Sequence, residues 1–154
     1  MRLNLGDLDL GCAAFKDGER IPDEHTSNGE DASPQLTWRN VPDGTRSFAL
    51  VCHDPDAPLV QGFTHWLVYN IPGDVTSIER GAGSSFTGGQ NDFGNTGYNG
   101  PAPPKDHGTH RYYFHLFALD DELDLEAGLA RAQLLERIED HVIEQARLVG
   151  TYSN

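Results

Sequence analysis

Read for the spacing of its apolar residues, the chain divides into short strand-like runs followed by a change of period. Ser47-Phe48-Ala49-Leu50-Val51-Cys52-His53 is apolar throughout its interior. That is the pattern of a strand buried on both faces. Residues 65–71 read as a second strand, stopped by Pro72-Gly73, and residues 110–119 as a third, long and aromatic. Weaker strand patterns lie at residues 3–10, 35–38 and 77–79. Leu135, Ile138, Val142, Ala146 and Val149 then recur at helical spacing, with Glu136, Glu139, Asp140 and Glu144 on the other side. The spacing predicts one amphipathic helix over residues 131–148, ended by Gly150. Strands first and a helix last predict a mainly β sandwich with a C-terminal helix packed on it.

Seventeen glycines and nine prolines punctuate the runs, as in domains rich in turns. Residues 81–107 form a long glycine-rich stretch without strand pattern, and loops of that length in a compact domain are functional or disordered. The specific residues it carries argue for function. No repeat or linker divides the 154 residues, which read as one domain large enough to bury its own core.

The charge narrows the function. With 24 Asp+Glu against 11 Lys+Arg the net charge is −13. Nucleic acid and anionic membrane surfaces, both bound by basic patches, are poor partners for such a chain. No apolar run has the length of a membrane-spanning helix. Acidic residues beginning at Asp7 stand where a signal peptide needs an apolar stretch, so a cytoplasmic location is expected. Lys16 and Lys105 are the only lysines beside nine arginines, and fifteen of the acids are aspartates. Short carboxylates on a lysine-poor surface suit a halophilic protein, whose self-repulsion concentrated salt relieves. An ordinary acidic cytosolic protein is the alternative. Cys12 and Cys52 are forty residues apart without a CxxC spacing and read as free thiols.

Three segments carry candidate chemistry. Asp54-Pro55-Asp56-Ala57-Pro58 places two carboxylates in a stiff turn at a strand end, where Asp and Pro are also common as mere turn formers. His65 opens its strand two residues after Phe63. Gly97-Tyr98-Asn99-Gly100-Pro101-Ala102-Pro103-Pro104 precedes Gly108-Thr109-His110-Arg111-Tyr112, in which His110 and Tyr112 share one strand face. Each alone reads as a stiff connector. Brought together, two imidazoles oriented by carboxylates and joined by a tyrosine hydroxyl would make a donor-rich pocket for a phosphate-type anion.

These segments, with Ser33-Pro34-Gln35-Leu36-Thr37-Trp38 and Val41-Pro42-Asp43-Gly44-Thr45-Arg46-Ser47-Phe48-Ala49-Leu50, run in the order of the phosphatidylethanolamine-binding protein family, also called the Raf kinase inhibitor protein family. The chain resembles its compact bacterial and archaeal branch along nearly its whole length, including the ending Glu139-Asp140-His141-Val142 and Leu148-Val149-Gly150-Thr151-Tyr152. The resemblance implies a two-sheet antiparallel β-sandwich, residues 1–154 as one such domain, with an anion pocket at one end. It makes Asp54 and Asp56 the turn carboxylates and His65 and His110 the pocket histidines. Tyr98, Gly100, Pro103, Pro104 and Tyr112 would line the rim and floor. Phe63 stands where eukaryotic members tend to carry a tryptophan, which leaves that wall apolar but changes its shape.

A non-enzymatic binding or regulatory protein follows as the expected function, holding a small anionic or phosphorylated ligand without a cofactor or metal. The alternative is a hydrolase of phosphate or acyl esters, with Asp54, Asp56, His65 and His110 binding a metal or moving protons. No Ser or Cys sits in a recognisable nucleophile motif. Neither nucleic acid nor stable membrane attachment is expected, and prokaryotic relatives suggest a homodimer. The aspartate-rich coat makes its own demand: the denaturation midpoint rises between about 0.1 M and about 2 M KCl. A flat response leaves the acidity without a role.

Overall fold

A computed structural model describes residues 5–154. Strands β1 (Asp9–Cys12), β2 (Leu36–Arg39) and β5 (Ser77–Ile78) form a small sheet in the order β1-β2-β5. Strands β3 (Ser47–Asp54), β4 (Phe63–Pro72), β6 (Thr87–Gly88), β7 (His110–Leu119) and β8 (Val142–Tyr152) form a five-stranded sheet in the order β6-β4-β3-β7-β8. Every pairing within both sheets is antiparallel. The expected strand at residues 3–10 lies partly outside the described residues, and the strand found there is β1.

Strand β3 explains the layering. Its even residues Phe48, Leu50 and Cys52 face the small sheet and join Leu36, Trp38, Trp66, Phe114 and Leu116 in the main core. Its odd residues Ala49 and Val51 face the other way, into a second core with Leu67, Tyr69, Leu129, Leu134 and Ile138. Helix α1 (Arg131–Ile138) covers that second core with Leu134 and Ile138. The Gln133 side chain steadies its start by accepting from the Ala130 N–H at 2.9 Å.

The predicted long helix is corrected. It stops at Ile138, a 3-10 turn follows at Glu139–His141, and the remaining residues are β8, paired with β7 from His110–Tyr152 to Leu119–Val142. Ala146 packs against the main core, and Leu148, Gly150 and Tyr152 are buried on the same face while Arg147 is exposed. Gly150 is therefore no helix cap. Its backbone presses on the layer beneath: a Cβ there would sit 2.5 Å from Ile21 Cγ1 and 2.9 Å from Phe15 Cε2. The segment under it also seals the sheet's edge. Gly18 N–H donates to the Val149 carbonyl at 2.7 Å and Ile21 N–H to the Thr151 carbonyl at 2.8 Å.

Gly150→Ala overfills this contact, with an expected loss of about 1–3 kcal/mol in denaturant unfolding. A neutral result means that Ile21 has room to move.

Candidate functional site

Asp54 ends β3 and its two oxygens do different jobs. Oδ1 accepts the Asp56 N–H at 2.7 Å, closing the Asp-Pro-Asp turn on itself. Oδ2 accepts Nδ1–H of His110 at 2.6 Å, with both side chains almost wholly buried. His110 opens β7, three residues before Tyr113, which pairs with His53. Because Nδ1 carries the proton given to the carboxylate, Nε2 is the free end of the ring, and it lies 2.7 Å from Nδ1 of the exposed His107. Asp54, His110 and His107 thus form one hydrogen-bonded row from the core to the surface.

His65 arrives by an irregularity. Cys52 pairs with Trp66 but His53 pairs with Thr64, so His65 is the extra residue of a β-bulge in β4. A bulge re-aims a side chain. Here it turns His65 toward Tyr112, with ring centroids 5.2 Å apart, and beside Phe63 at 5.1 Å. Nδ1–H donates to the Asn99 carbonyl at 2.7 Å, leaving the lone pair of the neutral ring on Nε2. Burial holds the imidazole below the ordinary histidine range, against hydrogen bonding to the Asn99 backbone and the nearby Asp54 charge.

These groups border a cavity of about 270 Å³ walled by Asp54, Phe63, His65, Pro103, Pro104, His110 and Tyr112. Ala57, Pro58 and Ala102, from the two expected segments, complete the wall with Leu59 and Phe93, which lie outside them. Phe93 meets Phe63 edge-on at 4.7 Å, and Leu59 and Phe93 are both exposed at the mouth. Phe93 is set by buried Asn91, whose Oδ1 accepts the Phe93 N–H at 2.9 Å and the Asn95 N–H at 3.1 Å. Asn91 Nδ2 also donates to the Asn99 side chain at 2.8 Å, which ties the loop to the His65 partner. The long 81–107 segment is therefore pinned by side chains and carries a 3-10 turn at Gly83–Ser85 and the short β6.

Three expected site residues stand off the wall. Asp56 is clamped by Arg111, Oδ2 accepting from Nε at 3.1 Å and from the backbone N–H at 2.8 Å, and Oδ1 from Nη2 at 3.0 Å. That clamp, led by the side-chain hydrogen bond, holds the Asp56 carboxyl below its usual range. Tyr98 lies beneath, its hydroxyl donating to the His25 carbonyl at 2.6 Å and its ring against Trp66. It borders a different hollow, with Asp31 and Ser33. Gly100 backs the site: its N–H donates to Asp31 at 2.8 Å, and a Cβ would collide with the His25 carbonyl. Asp54, Asp56, His65 and His110 do not converge on one point, and among the described residues no three His, Cys, Asp or Glu side chains are grouped to hold a metal ion.

The sequence pattern of the phosphatidylethanolamine-binding protein family matches residues 12–153. The chain belongs to this family. Its relatives place it in the prokaryotic branch. It is 46% identical over 151 residues to a UPF0098 protein of the archaeon Methanothermobacter thermautotrophicus, covering 94% of this chain and 98% of that one. The UPF0098 protein YbhB of Escherichia coli is 38% identical over 152 residues, covering 90% and 96%. Among solved structures, a phosphatidylethanolamine-binding protein homologue from Chlamydia trachomatis superposes with a TM-score of 0.90 at 37% identity, over 98% of this chain and 99% of that one. Escherichia coli YbcL, described as a new member of the mammalian family, gives 0.90 at 32%, over 97% and 99%. The two antiparallel sheets and the short helix are thus the family fold. Among the described residues no helix is long and apolar enough to cross a membrane.

The depressed His65 has a thermodynamic sign. Below about pH 6.5 the unfolded chain binds a proton that the folded ring refuses, so the fold loses stability as pH falls. His65→Gln flattens the fall in denaturation midpoint between about pH 7 and about pH 5. An unchanged slope assigns the acid sensitivity to other groups.

Proposed function

We propose that the chain is a non-enzymatic binding or regulatory protein that holds a phosphate-type anion, or the phosphorylated end of a small ligand, in the cavity between the Asp54–Pro58 turn and the Pro103–Tyr112 segment. One observation carries the reading: two imidazoles, each with its Nδ1 proton committed, border one small cavity rimmed by apolar side chains. Asp54 holds His110 by its Nδ1 and leaves Nε2 as the atom available to a ligand. An anion at Nε2 of His110 takes the place of His107 there. His65 is neutral when the cavity is free, and its Nε2 becomes a donor only by taking up a proton. Anion and proton therefore enter together. Exposed Leu59 and Phe93 offer contact to an organic remainder. The family's name refers to a phosphorylated lipid head group, which supports the ligand class.

Catalysis has less support. Among the described residues the cavity wall contains no serine, threonine or cysteine to act as a nucleophile. The wall's tyrosine, Tyr112, is pushed by burial far above its usual pKa and stays protonated.

Calorimetry with sulfate, whose charge is constant across the range, tests the coupling. Affinity is higher at about pH 5.5 than at about pH 8, with about one proton taken up per anion in buffers of different ionisation heat. Equal affinity at both pH values removes the histidines from the role. Phosphatase or esterase turnover that disappears in His65→Ala overturns the non-enzymatic reading.

A further inference from the structure

The arginines outside this site do not all have partners. Arg20, Arg39, Arg80, Arg111 and Arg137 each lie within 4 Å of a carboxylate. Among the described residues Arg46, Arg131 and Arg147 have no such partner. In a chain with 24 acidic and 11 basic residues, an unpaired guanidinium is the exception. Of the three, Arg131 and Arg147 border one hollow of about 460 Å³, although the first opens α1 and the second lies on β8.

The hollow lies across the five-stranded sheet from the Asp54 cavity. Its strand residues are odd-numbered members of β3 and β7, including His53, Tyr113, His115 and Phe117, whereas Asp54, His110 and Tyr112 face the other side. His115 and Phe117 stack on one another, with ring centroids 4.1 Å apart and planes tilted by 31°, and both border the hollow. Nε2–H of His115 donates to the Gln145 side chain at 2.6 Å, which fixes the ring. Burial first, then the charges of Arg147 and Arg131, holds His115 down to about pH 4, so the stack is neutral near pH 7. His53 is tied to the Thr64 hydroxyl at 3.0 Å. Asp92 acts on Arg131 electrostatically but does not pair with it. Partial burial of Arg131 works against its charge, and no acceptor in the hollow answers its N–H groups.

We propose that this hollow is a second ligand site, for an organic anion whose phosphate or carboxylate is gripped by Arg131 and Arg147 and whose apolar ring packs against the His115–Phe117 stack. Guanidinium forks match both acid groups in two-point geometry. The neutral, largely apolar stack adds nothing for a bare inorganic ion and much for a ring. A nucleic acid strand is disfavoured by the net charge of −13, whereas a small anion needs only the local pair. The site rests on none of the groups proposed to hold the first ligand, so both can be occupied at once.

Phenyl phosphate is the probe, with inorganic phosphate beside it, read on the arginine Nε–H resonances of the intact protein by NMR. Phenyl phosphate moves the Arg131 and Arg147 signals saturably and binds at least about tenfold more tightly than inorganic phosphate. Arg131→Gln and Arg147→Gln each weaken it by about tenfold or more, and the corresponding lysine variants by less. His110→Ala, a change in the wall of the first cavity, leaves these shifts in place. Absence of saturable shifts, equal binding of inorganic phosphate, or unchanged affinity in both glutamine variants with native thermal unfolding overturns the proposal. Loss of the shifts in His110→Ala assigns them to the first cavity and overturns it as well.

Discussion

Strand β3 is covered on both faces, by the small sheet on one side and α1 with its flanking loop on the other. Successive side chains on a strand must point to opposite faces. Neighbours in sequence are therefore assigned to separate compartments: Cys52 and Asp54 to one, Val51 and His53 to the other. The same rule on β7 separates Tyr112 from Tyr113 and Phe114 from His115. Two chemically different hollows arise on one sheet because alternation leaves its central strands no alternative.

The bulge at His65 is the one place where that rule is suspended near the cavity. Without the bulge, Phe63 and Trp66 would lie on opposite faces, and the imidazole would point toward the helix layer. With it, His65 stacks among Phe63, Phe93 and Tyr112 and reaches the Asn99 carbonyl. Local departure from regular pairing at a ligand-sized cavity fits the general placement of bulges.

Much of this was legible in the residues. The uniform apolar run 47–53 indicated a strand buried on both faces, and it is. The Asp-Pro-Asp and Gly-Pro motifs marked strand ends that do meet. The last segment was misread for a definite reason: positions four apart share a face in a helix and also in a strand, since four is a multiple of two. Ala146 and Gly150 satisfy both periods, Val142 falls on the other core beyond a β-bulge, and ten pairings with β7 decide the matter. The removal of Tyr98 and Gly100 from the cavity wall could not be read either, because it depends on the His25 carbonyl, more than seventy residues away. Phe93 and His107 carried no periodic signal, being placed by turns.

Residues 18–21 lie along the outer edge of β8, so the large sheet is closed only when those residues meet residues 149–151. A nascent chain that has not yet been extended past residue 141 presents β7 as an open edge, ten residues long and mostly apolar. Such edges recruit other strands. Native structure is thus reached only once β8 has been made, and the interval before β8 emerges is when this protein most needs shielding from its own copies.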